Sequence, residues 1–185
     1  MKRMRTFKKW LKDDGATAAI EAGFLFPLLM LILCGTVDTG LALVMNQKTT
    51  NASHTVCDLL SRGASVSATD VSDAIIAGRL ALMPYSTTTY GVDIASIKFI
   101  GVAKVPTVQW RRTENMSSNP ALDDNATGLG FQNEGVVAVT VQYTYTPLFT
   151  SYFAGPMVMS VESFARSRKS TNGYVTCSTG GATCS

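Results

Sequence analysis

No charged residue interrupts the run from Ala22 to Val37, and Thr39–Met45 extends it beyond a single acid, Asp38. The whole stretch is about 24 residues, and at about 1.5 Å per residue such a helix crosses a hydrocarbon core of roughly 30 Å. The pattern therefore predicts a membrane-spanning helix over residues 16–46. Past Met45 the apolar residues thin out but keep helical spacing, with Val56, Leu59 and Leu60 before Gly63. The same helix is expected to continue outward. A second helix is expected from about Thr69-Asp70, through Ile75, Ile76, Leu80 and Leu82, to Met83, where Pro84 stops it.

The period then changes from helix to strand. Val92–Val102, Thr107–Thr113, Gly135–Tyr145 and Met157–Arg168 are rich in β-branched and aromatic residues and predict four strands. In the third, Val137, Val139, Val141, Tyr143 and Tyr145 fall on one face and Thr140, Gln142 and Thr144 on the other, the pattern of a half-buried antiparallel strand. The polar stretch Glu114–Glu134 reads as a surface excursion. The fold expected is α+β, a long N-terminal helix whose outer part packs on an antiparallel sheet of about four strands. Three segments follow: a leader over 1–15, the spanning helix over 16–46, and an outer α+β domain over 47–185.

Placing the charges changes their meaning. The net charge is +3, but six of the 16 Lys and Arg lie between Lys2 and Lys12. Beyond Met45, ten Lys and Arg stand against nine Asp and Glu, so the outer domain offers no basic surface for nucleic acid. The basic leader, set against the lone nearby Lys48, predicts a cytoplasmic N-terminus and an outer domain across the membrane. A cleaved secretory signal is disfavoured, because the apolar run is too long and no small-x-small site follows it. Asp38, near the outer headgroups, is expected to be solvated.

Candidate chemistry is sparse. Cys177 and Cys184 flank a Gly/Ser/Thr-rich tail that is not expected to order itself by burial, and in an oxidising compartment a disulfide is the expected staple. Two free thiols are the alternative; a zinc site would fall two ligands short. His54, the only histidine, stands three residues before Cys57 on a helix, but nothing there would activate the thiol, and both read as ordinary helix-face residues. Asp123-Asp124-Asn125 lacks the further oxygens of an EF-hand and reads as solvated loop. Trp110, Tyr143, Tyr145, Phe149, Tyr152 and Phe153 are expected to fill a core. No phosphate-binding loop occurs, and neither an enzyme nor a cofactor is expected.

The run Gly15-Ala16-Thr17-Ala18-Ala19-Ile20-Glu21, followed by Pro27-Leu28-Leu29, Gly35, Asp38 and Gly40, resembles the TadE-like family. These are pilin-related components of the Tad machinery that assembles Flp pili. The resemblance covers about Gly15 to Ala52. It implies a pilin-like fold, processing by a prepilin peptidase between Gly15 and Ala16, and a role for Glu21 in assembly through a charge pair with an amino terminus. Glu21 here stands six residues after Gly15 where the family usually has five, and Ala22 replaces a common aromatic residue. The implied setting is the bacterial inner membrane, with the outer domain periplasmic. The partners are the lipid bilayer and other pilin-like or Tad subunits. The alternative function is a statically anchored binding or adhesion module, for which the helix is only a tether.

Overall fold

A computed structural model describes residues 14–151, 154–178 and 184. The leader cations Lys2 to Lys12, and the aromatic residues Tyr152 and Phe153, lie outside the described residues. The elements in chain order are α1 (Asp14–Ser61), β1 (Ser65–Val66), α2 (Ala68–Ala81), β2 (Gly91–Ile100), β3 (Val105–Glu114), α3 (Ala121–Asn125), β4 (Gly135–Tyr145), β5 (Met157–Ala165) and β6 (Thr176–Cys177). The chain forms two compact units. One holds α1 up to Ala42 together with Pro147–Gly155, and the other holds Leu43–Thr146 with Pro156–Ser185.

The larger unit is α+β. Its main sheet has the order β3-β2-β4-β5, and every neighbouring pair is antiparallel. The four expected strands are all present, within a few residues of their predicted bounds. Along the outer part of α1, Met45, Thr49, Ala52, Val56 and Leu60 recur at helical spacing and are all buried. Ser53 fixes that stripe to the sheet: its Oγ lies 2.8 Å from the Ser163 hydroxyl and 3.3 Å from the Val139 carbonyl, in reach of both. The α2 helix starts at Ser67, whose Oγ accepts from the Asp70 N–H while the Asp70 carboxylate accepts from the Ser67 N–H. The Ser67 N–H, with the Ser67 hydroxyl 2.8 Å from the same oxygen, holds the Asp70 carboxyl below its usual range. At its other end Lys48 Nζ donates to the Met83 carbonyl at 2.7 Å, placing a cation where the helix leaves carbonyls unpaired.

Two close approaches shape this packing. At Gly78 on α2, an added Cβ would collide with the Tyr90 hydroxyl and lie 2.6 Å from a Val56 methyl on α1. Gly78→Ala should therefore destabilise the unit, because overpacking costs about 1–3 kcal/mol and the gain in helix propensity returns only about 1 kcal/mol. A melting temperature equal to or above the parent's would contradict this packing. The second approach covers a face of the sheet that the sequence pattern leaves open. β4 is buried on both faces from Gly135 to Val141. The short helix α3 lays Leu122 and Ala126 against Ala95, Ile97, Phe99, Val136 and Ala138. The Glu114–Glu134 segment is thus a cover for the core rather than a surface excursion, and the half-buried reading of β4 is corrected.

A buried polar network fastens that cover. Arg111 grips Asp93 with two parallel bonds, Nε to Oδ1 at 2.9 Å and Nη2 to Oδ2 at 2.5 Å. The Asn119 N–H donates to Asp93 Oδ2 at 2.7 Å, and Asn119 Nδ2 donates to Glu162 Oε1 at 2.6 Å. Asn125 adds a bond to the other Glu162 oxygen at 2.8 Å. Asp93 is entirely buried, and its attraction raises the Arg111 pKa.

The C-terminal tail is also better anchored than its composition suggests. Val175 is fully buried, and its carbonyl accepts from Trp110 Nε1 at 2.8 Å and Ser96 Oγ at 2.7 Å. The next two residues pair as β6, parallel to β1, in the register Ser65↔Thr176 and Val66↔Cys177. Cys177 and Cys184 are joined in a disulfide with Cα atoms 5.7 Å apart.

Candidate functional site: a carboxylate clamp on the apolar helix

The smaller unit is built around the apolar part of α1. From Ala18 onward this helix is long and apolar enough to cross a membrane. Its large side chains face outward, with Phe24, Leu28, Leu31 and Leu33 all more than half exposed. Two of its hydroxyls are satisfied within the helix: Thr36 Oγ1 donates to the Leu33 carbonyl at 2.7 Å and Thr39 Oγ1 to that of Gly35 at 2.8 Å.

Asp38 breaks the apolar pattern, and its environment is not the solvated one expected. Only 3% of it is exposed. Its two oxygens take the backbone N–H groups of three consecutive residues, Leu148 on Oδ1 at 3.0 Å, Phe149 on Oδ2 at 3.0 Å and Thr150 on Oδ2 at 2.6 Å. Thr150 Oγ1 adds a fourth donor at 2.8 Å. Three successive N–H groups turned toward one anion form a backbone nest, with the anion supplied by the chain itself. The clamp pins the connection between β4 and β5 to the helix. Phe149 and Thr150 then share an apolar groove with Pro27, Met30, Leu31 and Cys34.

The other candidate residues are not drawn together. Glu21 is exposed and makes no hydrogen bond or ion pair with any described residue. Gly15 and Ala16 fall in the first turn of α1. His54 is exposed, with Nδ1 3.3 Å from the Ser163 hydroxyl, whereas Cys57 is buried with its thiol 3.6 Å from the Val137 and Ser163 carbonyls. Burial, with the Asp58 carboxylate adding to it, pushes the Cys57 thiol up to about 12. Cys57 should therefore resist alkylation in the folded protein at mildly alkaline pH and react only after denaturation. Rapid labelling of native protein at Cys57 would refute that burial. Among the described residues no cluster of three or more His, Cys, Asp or Glu is placed to hold a metal. Trp110, Tyr143 and Tyr145 fill the core as expected, but Phe149 is 54% exposed.

The helix that carries the clamp is also where the chain is similar to known proteins. The TadE-like protein family matches residues 16–57. No curated protein and no solved structure matches the chain. The TadE-like segment contains Glu21, Asp38 and Cys57, and it ends within α1. The nest that Asp38 fills lies outside it, in the chain at Leu148–Thr150. Helical spacing offered one signal for the clamp: at 100° per residue Asp38 lies on the stripe of Met45, Thr49 and Val56, which are buried.

Proposed function

We propose that this chain is a pilin-like membrane subunit that takes part in assembling a Tad (Flp) pilus or a related envelope secretion machine. The observation that carries the reading is that the TadE-like match covers an apolar helix whose side chains point outward along the membrane-spanning length. Such a helix offers its surface to lipid and to neighbouring helices, which is the chemistry of lateral assembly rather than of catalysis. In this reading the chain sits in the bacterial inner membrane with its N-terminus cytoplasmic and its sheet-bearing domain periplasmic. Glu21 would pair with an amino terminus or another cation of a neighbouring subunit. A prepilin peptidase would cut between Gly15 and Ala16.

Protein isolated from its native membrane in mild detergent should carry other pilin-like or Tad subunits. Glu21→Ala should lower their yield without reducing membrane insertion, because losing an acid eases insertion. Equal yields from parent and variant would remove Glu21 from the assembly role, and a preparation free of any such subunit would favour the static anchor. Sequencing of the mature amino terminus separates processing, which begins the chain at Ala16, from a retained leader.

A further inference from the structure

We infer that the β4–β5 connection is a second membrane-contacting element, dipping Leu148 and Phe149 into the outer leaflet beside the helix while Asp38 satisfies the N–H groups of Leu148, Phe149 and Thr150. The proposal rests on the membrane-anchor reading of α1 and adds to it a lipid-facing role for a segment far away in sequence. The ligand is the acyl region of the bilayer itself.

Three observations lead there. First, no charged residue occurs from Tyr143 to Val161, an uncommon stretch for a sheet connection that faces water. Second, the large apolar side chains of this connection turn outward: Leu148 is 68% exposed and Phe149 54%. They extend the exposed apolar surface of the helix to which the loop is pinned.

Third, the clamp solves a problem that exists only away from water. A loop in water needs no anion for its N–H groups, since solvent serves them. In hydrocarbon each unpaired N–H costs several kcal/mol, which is why irregular backbone is absent from lipid unless protein groups satisfy it. A lone carboxylate at that depth is itself costly. Here each lowers the other's penalty, as one carboxylate absorbs the donors of Leu148, Phe149 and Thr150, including the Thr150 hydroxyl. Asp38 lies seven residues before Met45, about 10 Å along the helix axis, which places the nest below the outer boundary of the expected span.

The test uses the full chain reconstituted sparsely in phosphatidylethanolamine–phosphatidylglycerol vesicles. A Cys34→Ser background leaves Cys57 buried and the other two cysteines bonded. An environment-sensitive fluorophore is attached in turn to Leu148→Cys, to Leu29→Cys on the exposed helix, and to Val102→Cys at the β2–β3 turn. Quenching is read with nitroxides on the lipid acyl chains.

The expected result is blue-shifted emission at 148 and several-fold stronger quenching than at 102, approaching that at 29. Asp38→Ala should return the 148 signal toward that at 102. If 29 is quenched while 148 behaves like 102, the loop lies in water and the proposal is overturned with the anchor intact. If 29 is itself unquenched, the anchor reading fails first and takes the proposal with it. A blue shift at 148 without quenching would mean that protein covers the loop, which also overturns it. Unchanged quenching at 148 in Asp38→Ala would overturn the role of the clamp.

Discussion

Replacing Asp38 with alanine should release the Pro147–Gly155 connection while leaving the thermal unfolding of the sheet-bearing unit near that of the parent. The variant loses four acceptor contacts at once, three to backbone N–H groups and one to the Thr150 hydroxyl. Leaving a single buried donor unpaired costs about 1–3 kcal/mol, so losing this set should cost about 3 kcal/mol locally even if some donors find new partners. That raises the open population roughly 100-fold, to be read as faster hydrogen exchange at the amides of Leu148, Phe149 and Thr150. Asp38→Asn keeps one acceptor oxygen and should fall between the two. The effect should stay local, because the clamp and the main sheet belong to different compact units. Unchanged exchange at those three amides would mean that the loop is held by something other than the carboxylate.

The second large effect is expected in the other unit, and it should be global. Asp93→Ala removes the anion that Arg111 grips with two bonds and that the Asn119 N–H also uses. Breaking one side of a buried pair costs about 3–5 kcal/mol; the lower end applies here because the Arg111 side chain keeps 21% of its surface in water. For a unit of this size that lowers the melting temperature by about 10 °C. The cost should be shared by the core cover, since Asn119 also ties the segment ahead of α3 to Glu162. Asn119→Ala should therefore weaken the same cover, and the two losses should combine to less than their sum. Independent, fully additive losses would show that the network is not one structure.

Much of this architecture was readable from residue order, and the parts that were not have a common cause. β-branched runs and Pro84 locate the strands and the end of α2 because those signals are local. Strand ends are shifted slightly, as at β2, where Gly101 and Lys104 take positive φ and close the turn ahead of Val105. The second core face was missed because Val136 and Ala138 on β4 look too modest beside Thr140 and Gln142. Their burial depends on Leu122, which comes from a segment with an otherwise polar appearance. Asp38 escapes the local pattern for the same reason in stronger form, since the groups that hydrogen-bond to it are 110 to 112 residues away. The small residues of the tail suggest no burial, yet Val175 and Cys184 give it a buried foothold. Local pattern describes what a residue prefers; it does not describe which distant backbone arrives to meet it.

That distance has a consequence for the order of events in synthesis. The corner after α1 is closed by residues more than a hundred positions later: Arg168 N–H donates to the Ser61 carbonyl at 2.8 Å, Ser167 Oγ to that of Gly63 at 2.7 Å, and Ser178 N–H to that of Val66 at 2.9 Å. A ribosome delivers residues in sequence, so the helix is made long before its closing partners exist. Until Ser167, Arg168 and Ser178 are released, the corner between α1 and α2 lacks all three bonds. A product terminated before Ser167 would carry the complete helix and an unsealed corner, the kind of surface that a quality-control protease can grasp.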